Sequence, residues 1–304
     1  MRTILLTGAT GFLGSTLTDK LLKSGYKVII LKRSFSDTRR LANLMDFIKA
    51  FDIDKTGIEQ AFESQKIDVV IHTATNYGRQ NQSASEIIED NLVFPVKLLE
   101  ASIKFNTDTF FNTDTSQYNY LNYYTLSKKQ FKEWGVKSCF NKKTDFINVK
   151  LEHIYGPNDS DKKFVTWFAA QLIKGSDIIN LTEGKQKRDF IFIDDVASAY
   201  CTLLESDLGG FNEFEVGTGE SVELRDFLYE IVECYEEITG RKSLSKLNFG
   251  AINYREGEPM AIRVHNSALL ALGWKPRFTS KTGIRLMLES ILDDLSSEHQ
   301  KLSF

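Results

Sequence analysis

The chain opens on an unbroken apolar run, Thr3-Ile4-Leu5-Leu6-Thr7, the pattern of a strand covered on both faces. A turn, Gly8-Ala9-Thr10-Gly11-Phe12-Leu13-Gly14, follows at once. Apolar positions then take helical spacing over 15–24, closed by Gly25, and a second apolar run, Val28-Ile29-Ile30-Leu31, reads as another strand. The same reading predicts a helix over 38–48, a short strand at Phe51-Asp52-Ile53 and a strand over 68–72. A long helix over 83–105 carries Ile87, Ile88, Leu92, Val96, Leu99 and Ile103 on one stripe, with a kink at Pro95. Strands are expected at 108–112 and 145–150, then helices over 164–172, 224–238, 268–272 and 284–295, with Asp194 and Asp195 capping one more. Strands alternating with helices predict the α/β class, a doubly wound parallel sheet.

The glycine turn says what such a sheet is for. One glycine permits the tight turn, the next lets backbone approach a pyrophosphate, and the last lets helix and strand pack closely. Gly8, Thr10, Gly11, Phe12, Leu13 and Gly14 are therefore candidate cofactor contacts, with phosphates on the unpaired N–H groups of the helix start. The fold expectation becomes a Rossmann-type dinucleotide domain over 1–160 and a smaller α/β substrate-binding subdomain over 161–304, the chain crossing back near 189–205. At the end of the second strand, ~20 residues after the glycines, a carboxylate would mark NAD. Lys32-Arg33-Ser34 stand there instead, which suits a 2′-phosphate, so NADP(H) is preferred and NAD(H) kept as possible; a pair of solvated cations is the bland alternative. Asp52 and Ile53 are placed at the adenine, although an ordinary loop aspartate fits as well. Thr73, Ala74 and Thr75 leave room for a ribose or nicotinamide where the next strand ends. His72, inside an apolar run, reads as a core histidine.

Composition narrows the class. A formal charge of −3 over 304 residues excludes a general polyanion-binding surface, so no nucleic acid is expected. Cys139, Cys201 and Cys234 show no paired spacing, no histidine stands in ligand spacing, and no metal is expected. With no apolar run near ~20 residues and no room for a leader before the first strand, the expectation is a cytoplasmic protein without a membrane span.

The chemistry follows the fifth strand. Thr113 stands at its end, and Tyr124-Thr125-Leu126-Ser127-Lys128 comes soon after. Positions i and i+4 of a helix share a face, so phenol and ammonium point the same way. A free tyrosine titrates at about 10, and a fixed cation favours the phenolate. Lys128 can also hold a ribose, and Thr113 can orient a substrate oxygen. Tyr123 has no lysine at i+4. YxxxK alone is weak; placed after a nucleotide turn and a fifth strand it is specific.

Gly8/Gly11/Gly14, Thr113 with Tyr124 and Lys128, Tyr155-Gly156-Pro157, Arg188-Asp189-Phe190, Asp194-Asp195 and Gly273-Trp274-Lys275-Pro276 together resemble an extended short-chain dehydrogenase/reductase of the nucleotide-sugar epimerase/dehydratase family, over essentially the whole chain. Within it, Tyr77-Gly78-Arg79, residues 150–156, residues 187–192 and residues 215–219 look most like the branch that makes CDP-abequose and CDP-paratose. The resemblance implies an NADPH-dependent 4-ketoreductase of a CDP-linked keto-deoxysugar, for O-antigen or surface polysaccharide. It also implies Tyr77, Arg79 and Asp114 on the substrate, His153 and Ile154 on the cofactor, and Arg188 and Arg255 on the diphosphate, an exposed structural salt bridge being as good an account of Arg188. A homodimer through a four-helix bundle is implied as well. Two departures count. Thr113-Asp114-Thr115 lacks the glutamate of the sugar dehydratases, which disfavours water elimination, and the link from Thr113 to Tyr124 is short, which bears against 4-epimerisation. An NAD-dependent 4-epimerase and a non-catalytic nucleotide-binding protein stay as alternatives.

Overall fold

The structure, a computed structural model, describes residues 1–79, 81–140 and 144–301, with the side chains of 297–301 excepted. It divides into two compact units. The first takes residues 1–151, 197–216 and 267–274, the second 152–196, 217–266 and 275–304. Against the expected boundary at 160, the division falls after residue 151, where the last strand of the main sheet before the second unit ends.

In the first unit, strand β1 (Thr3–Thr7) leads through the glycine turn into helix α1 (Phe12–Lys23) and strand β2 (Lys27–Lys32). The helix expected over 38–48 is instead two short 3-10 turns, Arg39–Leu41 and Met45–Phe47. Only Leu41 of the two turns is buried, so no apolar face holds a longer helix down. Strand β3 (Lys49–Asp52), helices α2 (Ile53–Thr56) and α3 (Glu59–Ser64) and strand β4 (Val69–His72) follow. The long helix is broken too. Helix α4 (Ala84–Ile88), capped by the reciprocal Ser83 and Glu86 bonds, runs into a π-helical turn at Glu89–Val93 and only then into helix α5 (Phe94–Lys104). Pro95 lies in the first turn of α5, where its missing N–H costs nothing. Strand β5 (Thr109–Thr115), helix α6 (Tyr123–Cys139) and strand β6 (Asp145–Leu151) complete the first pass.

The second unit holds strand β7 (His153–Tyr155), helix α7 (Phe164–Ile173) and strands β8 (Ile178–Leu181), β9 (Lys187–Arg188) and β10 (Phe190–Phe192). Helix α8 (Ile193–Glu205), from residue 197 on, and strand β11 (Phe211–Val216) belong to the first unit. Strand β12 (Val222–Glu223), helix α9 (Leu224–Thr239) and strand β13 (Lys246–Phe249) belong to the second, helix α10 (Ser267–Ala271) to the first, and helix α11 (Ser280–Lys301) again to the second. Its strands pair two by two, β7 with β10, β9 with β12 and β8 with β13. Asp195 lies in the first turn of α8. Its carboxylate accepts the backbone N–H groups of Arg277 and Phe278, 2.8 and 3.1 Å away.

The main sheet has seven strands in the order β11-β6-β5-β4-β1-β2-β3, every neighbouring pair parallel. The chain winds outward from β1 through β2 and β3, then starts again at β4 on the other side of β1. The switch point therefore lies between β1 and β4, whose carboxyl ends carry the glycine turn and Thr73–Thr75; such sheets take their ligands there. Leu5, Ile29, Val70, Leu98 and Phe110 lie wholly in the core beneath, as expected for strands covered on both faces.

Candidate active site

The glycine turn is as tight as its spacing implies. Gly8 has φ +71°, and a Cβ there would stand 2.6 Å from both the Ala74 nitrogen and Thr73 Oγ1. A Cβ at Gly14 would meet the Gly8 carbonyl oxygen at 2.1 Å. Helix α1 begins at Gly11 with no side-chain cap, which leaves its first N–H groups to an anion. Thr73 donates to the Thr7 carbonyl at 2.7 Å, tying the ends of β4 and β1 together. A bare backbone cradle at the switch point fits a dinucleotide pyrophosphate.

The basic residues after β2 are less free than their sequence suggests. Lys32 is paired with Asp52 at 2.5 Å, and Ser34 gives its N–H and hydroxyl to Asp54 at 2.7 and 2.6 Å. Asp52, expected at an adenine, thus spends its charge on Lys32, with Lys55 at 3.7 Å. Ile53 begins α2. The Arg33 guanidinium lies over the Phe35 ring, 5.0 Å from its centre, and Arg40 reaches the Thr10 carbonyl at 3.5 Å.

Helix α6 carries Tyr124 and Lys128. Asn122 and Thr125 cap it reciprocally, and Lys128, Phe131, Gly135 and Cys139 form its buried stripe, to which Tyr124 belongs by spacing. Gly135 lets the helix sit close to the sheet, since a Cβ there would meet the Phe146 ring at 2.1 Å. Burial, with Tyr77 and Asp114 beside it, pushes the Tyr124 phenol well above its ordinary value; a hydrogen bond to the Thr115 side chain and the charge of Arg79 pull the other way. The sequence reading gave that lowering to Lys128. Lys128 is itself 2% exposed, and burial brings it down to about 8.

Beside Tyr124 the structure places Tyr77 and Arg79. The rings of Tyr77 and Tyr124 lie 4.9 Å apart, and the Arg79 guanidinium sits over Tyr77 at 5.1 Å. The Thr113 hydroxyl is bonded to the Tyr200 hydroxyl of α8 at 2.6 Å. Asp114 is turned to the other face of β5. Its side chain is enclosed, taking the Lys129 ammonium at 3.2 Å, Asn148 Nδ2 at 3.0 Å and the Thr115 N–H at 2.7 Å. It is built into the protein rather than presented to a substrate. In the second unit, His153 and Ile154 lie on β7. The Arg188 guanidinium is enclosed rather than exposed, paired with Glu258 and donating to the Pro259 carbonyl at 2.8 Å; Arg255 is exposed.

Sequence reasoning missed Asn91. It sits in the π-helical turn, wholly buried. Its Oδ1 accepts the Asn76 N–H at 2.7 Å and the Thr75 hydroxyl at 3.3 Å, while its Nδ2 donates to the Asn76 carbonyl at 2.8 Å and to Ser127 of α6 at 3.1 Å. A lone asparagine on an apolar helical stripe was the available signal. Tyr200, Thr115 and Lys129 were missed as well, because their partners lie on other strands and helices.

Residues 4–217 match the profile of the family described as "NAD dependent epimerase/dehydratase family". The chain belongs to that family. Family membership implies an NAD(P) cofactor. Among relatives, CDP-abequose synthase of Salmonella typhimurium is 35% identical over 298 residues, covering 95% of this chain and 98% of its own. A putative UDP-glucose 4-epimerase of Methanocaldococcus jannaschii is 26% identical, over 93% and 96%. The UDP-glucose 4-epimerase of Thermus thermophilus, solved with NAD, superposes with a TM-score of 0.82 at 23% identity, covering 96% and 99%, and shares the fold. Among the described residues no group of three or more His, Cys, Asp or Glu is placed to hold a metal, and no helix is long and apolar enough to cross a membrane.

Proposed function

We propose that the protein is an NADPH-dependent 4-ketoreductase of a nucleotide-linked deoxysugar, converting CDP-4-keto-3,6-dideoxyglucose to CDP-abequose or CDP-paratose for a surface polysaccharide. The observation that carries the reading is the enclosed phenol of Tyr124, which stands on the helix that also bears Lys128 and packs against Tyr77; burial there favours its protonated form. A phenol pushed up by burial is an acid at neutral pH, and reduction of a ketone asks for an acid, because the carbonyl oxygen takes a proton as its carbon takes hydride. Oxidising an alcohol, the first step of an epimerase or a dehydratase, asks for the phenolate. A bound reduced nicotinamide would supply the hydride. Tyr124 protonates the forming alkoxide, Lys128 places a positive charge nearby and holds a ribose hydroxyl, and Thr113, braced by Tyr200, orients the oxygen. Tyr77, its ring tilted against that of Tyr124, and Arg79, over the Tyr77 ring, contact the sugar side.

Supporting this, the similarity to CDP-abequose synthase runs through nearly the full length of both chains. Elimination of water is disfavoured because Asp114 is committed to Lys129 and Asn148 and a threonine follows it. NADPH rather than NADH rests on Arg33 at the end of β2, with Arg40 close by. Pairing of two copies through the α5 and α6 surfaces is part of the same proposal, and Tyr123 and Trp134 are exposed on α6.

The test is NADPH oxidation with the CDP-linked keto sugar. Tyr124→Phe, verified as folded, is expected to lose at least ~100-fold in kcat. Retention of most of the rate would remove the assigned acid. A 4-epimerase, the second reading, is favoured by the epimerases among the similar chains. It predicts NAD released on denaturation and no net oxidation of added NADPH.

A further inference from the structure

Lys129, next to Lys128, has no part in the reaction as proposed, yet it is largely buried, with 14% of its side chain exposed. Its ammonium reaches 3.2 Å from both carboxylate oxygens of Asp114 and donates to the Thr115 carbonyl. Asp114 completes its coordination with Asn148 and with its neighbour's N–H. The two charges are the chain neighbours of Thr113 and Lys128. One bond therefore ties the end of the strand bearing the first group to the helix bearing the second. Holding a lysine and an aspartate out of water is costly, and replacing such a pair by apolar groups is often neutral or stabilising, so stability alone does not account for it.

We propose that the buried Asp114–Lys129 pair is a positioning device for the reacting set, fixing α6 against the end of β5 and setting the charge state of Lys128. The proposal rests on the reading that Lys128 works as a cation. Asp114 on β5 attracts the Lys128 charge and Lys129 on the same helix repels it, while burial pulls it down. His72 on β4 also faces Lys128, and burial keeps it neutral. Beyond these, Lys150 on β6 and Glu213 on β11 act on Lys129 from the far side. The pair therefore contributes two opposed effects at one ammonium.

The experiment is an NMR titration of ε-carbon-labelled lysine in the whole protein, with Lys128→Met identifying the Lys128 signal. Asp114→Asn removes the attraction, and Lys128 is expected to titrate about one pH unit lower; Lys129→Met removes the repulsion, and it is expected to titrate about one unit higher. Lys129→Arg keeps the cation and the parental value. Where the protein turns over the keto sugar, the alkaline limb of kcat moves with the signal. A structural brace alone predicts the parental titration in both folded single variants, and that result, or two shifts of the same sign, overturns the proposal. Should one variant not fold, the direction of shift in the other decides. Failure of the ketoreductase reading shows separately, as a parent protein that does not oxidise NADPH, and leaves the titration intact.

Discussion

A lysine that is 2% exposed carries a cost that can be measured. Burial lowers Lys128 from its usual value near 10.5 to about 8, so at pH 7 the folded protein holds a proton there against its preference. Between pH 8 and 10.5 the unfolded chain binds more protons at this site than the folded one, and stability therefore rises with pH through that window. Lys128→Met removes the cost while keeping an unbranched side chain of similar length. It is expected to stabilise the protein by about 3 kcal/mol at pH 7, the free energy that separates a lysine titrating near 10.5 from one titrating at about 8, while abolishing turnover. The gain shrinks as pH climbs from 8 toward 10.5. Urea unfolding at pH 7 and pH 10 checks it; a variant less stable than the parent at pH 7 would show that Lys128 is held by favourable bonds. Tyr124 obeys the same physics with the opposite sign of charge. Burial disfavours its phenolate, so it keeps its proton.

Elements matter here through which face they turn to one another. Register aligns three rungs across one face of β5, β6 and β11: Phe110, Phe146 and Phe211; then Asn112, Asn148 and Glu213; then Asp114, Lys150 and Glu215. The first rung is apolar, with Phe110 and Phe146 stacked at 5.5 Å, and α6 lies on it at Phe131. The other two are bonded across the strands, Asn112 to Asn148 at 2.7 Å, Asn148 to Glu213 at 2.8 Å and Lys150 to Glu215 at 2.5 Å. A slip of one residue would turn every rung to the wrong face, so the rungs pin the strand that carries Thr113. On the other flank, the π-helical turn aims Asn91 at the loop after β4 and at α6, a use to which such turns are often put. Asn91→Leu leaves the Asn76 N–H and carbonyl without their partner. The expected loss is about 2–4 kcal/mol in urea unfolding, with a lower kcat, since Tyr77, Arg79 and Ser127 depend on that bridge. A loss below about 1 kcal/mol would mean that the loop after β4 does not hang on Asn91.

At the scale of the molecule, what could be read in advance was what is local. The glycine turn, the strands β1, β2, β4, β5 and β6 and the Tyr124–Lys128 spacing depend on neighbours a few residues apart, and the structure has them close to where their periods put them. Strand β3, by contrast, starts two residues early, at Lys49, and no strand was expected at β11. Pairings across the sheet were not legible. Lys32 meets Asp52 because β2 and β3 lie side by side, and Asp114 meets Lys129 because α6 folds back over β5; no spacing along the chain announces either. The helix expected over 38–48 failed for the same reason, since periodicity cannot say whether an apolar face finds anything to cover. His72 was readable as core, and it bears on how the whole protein responds to acid. Its ring is fully buried among Phe94, Phe110 and Phe131, with Thr7 Oγ1 bonded to Nδ1 at 2.8 Å, and burial holds its pKa well below 6.5. The unfolded chain takes up a proton there below about pH 6.5 that the folded protein refuses, so stability is present above that pH and falls as the solution is acidified. Asp189 and Asp195, raised by burial, act in the opposite sense at lower pH, above the unfolded value of 3.8. His72→Phe separates the contributions, because it deletes one titration and leaves both aspartates. Between pH 6 and pH 5 the parent is expected to lose about 1 kcal/mol more per pH unit than the variant, whatever the variant's own stability. Equal slopes in urea unfolding across that range would mean that His72 is protonated in the fold, with a partner for its charge.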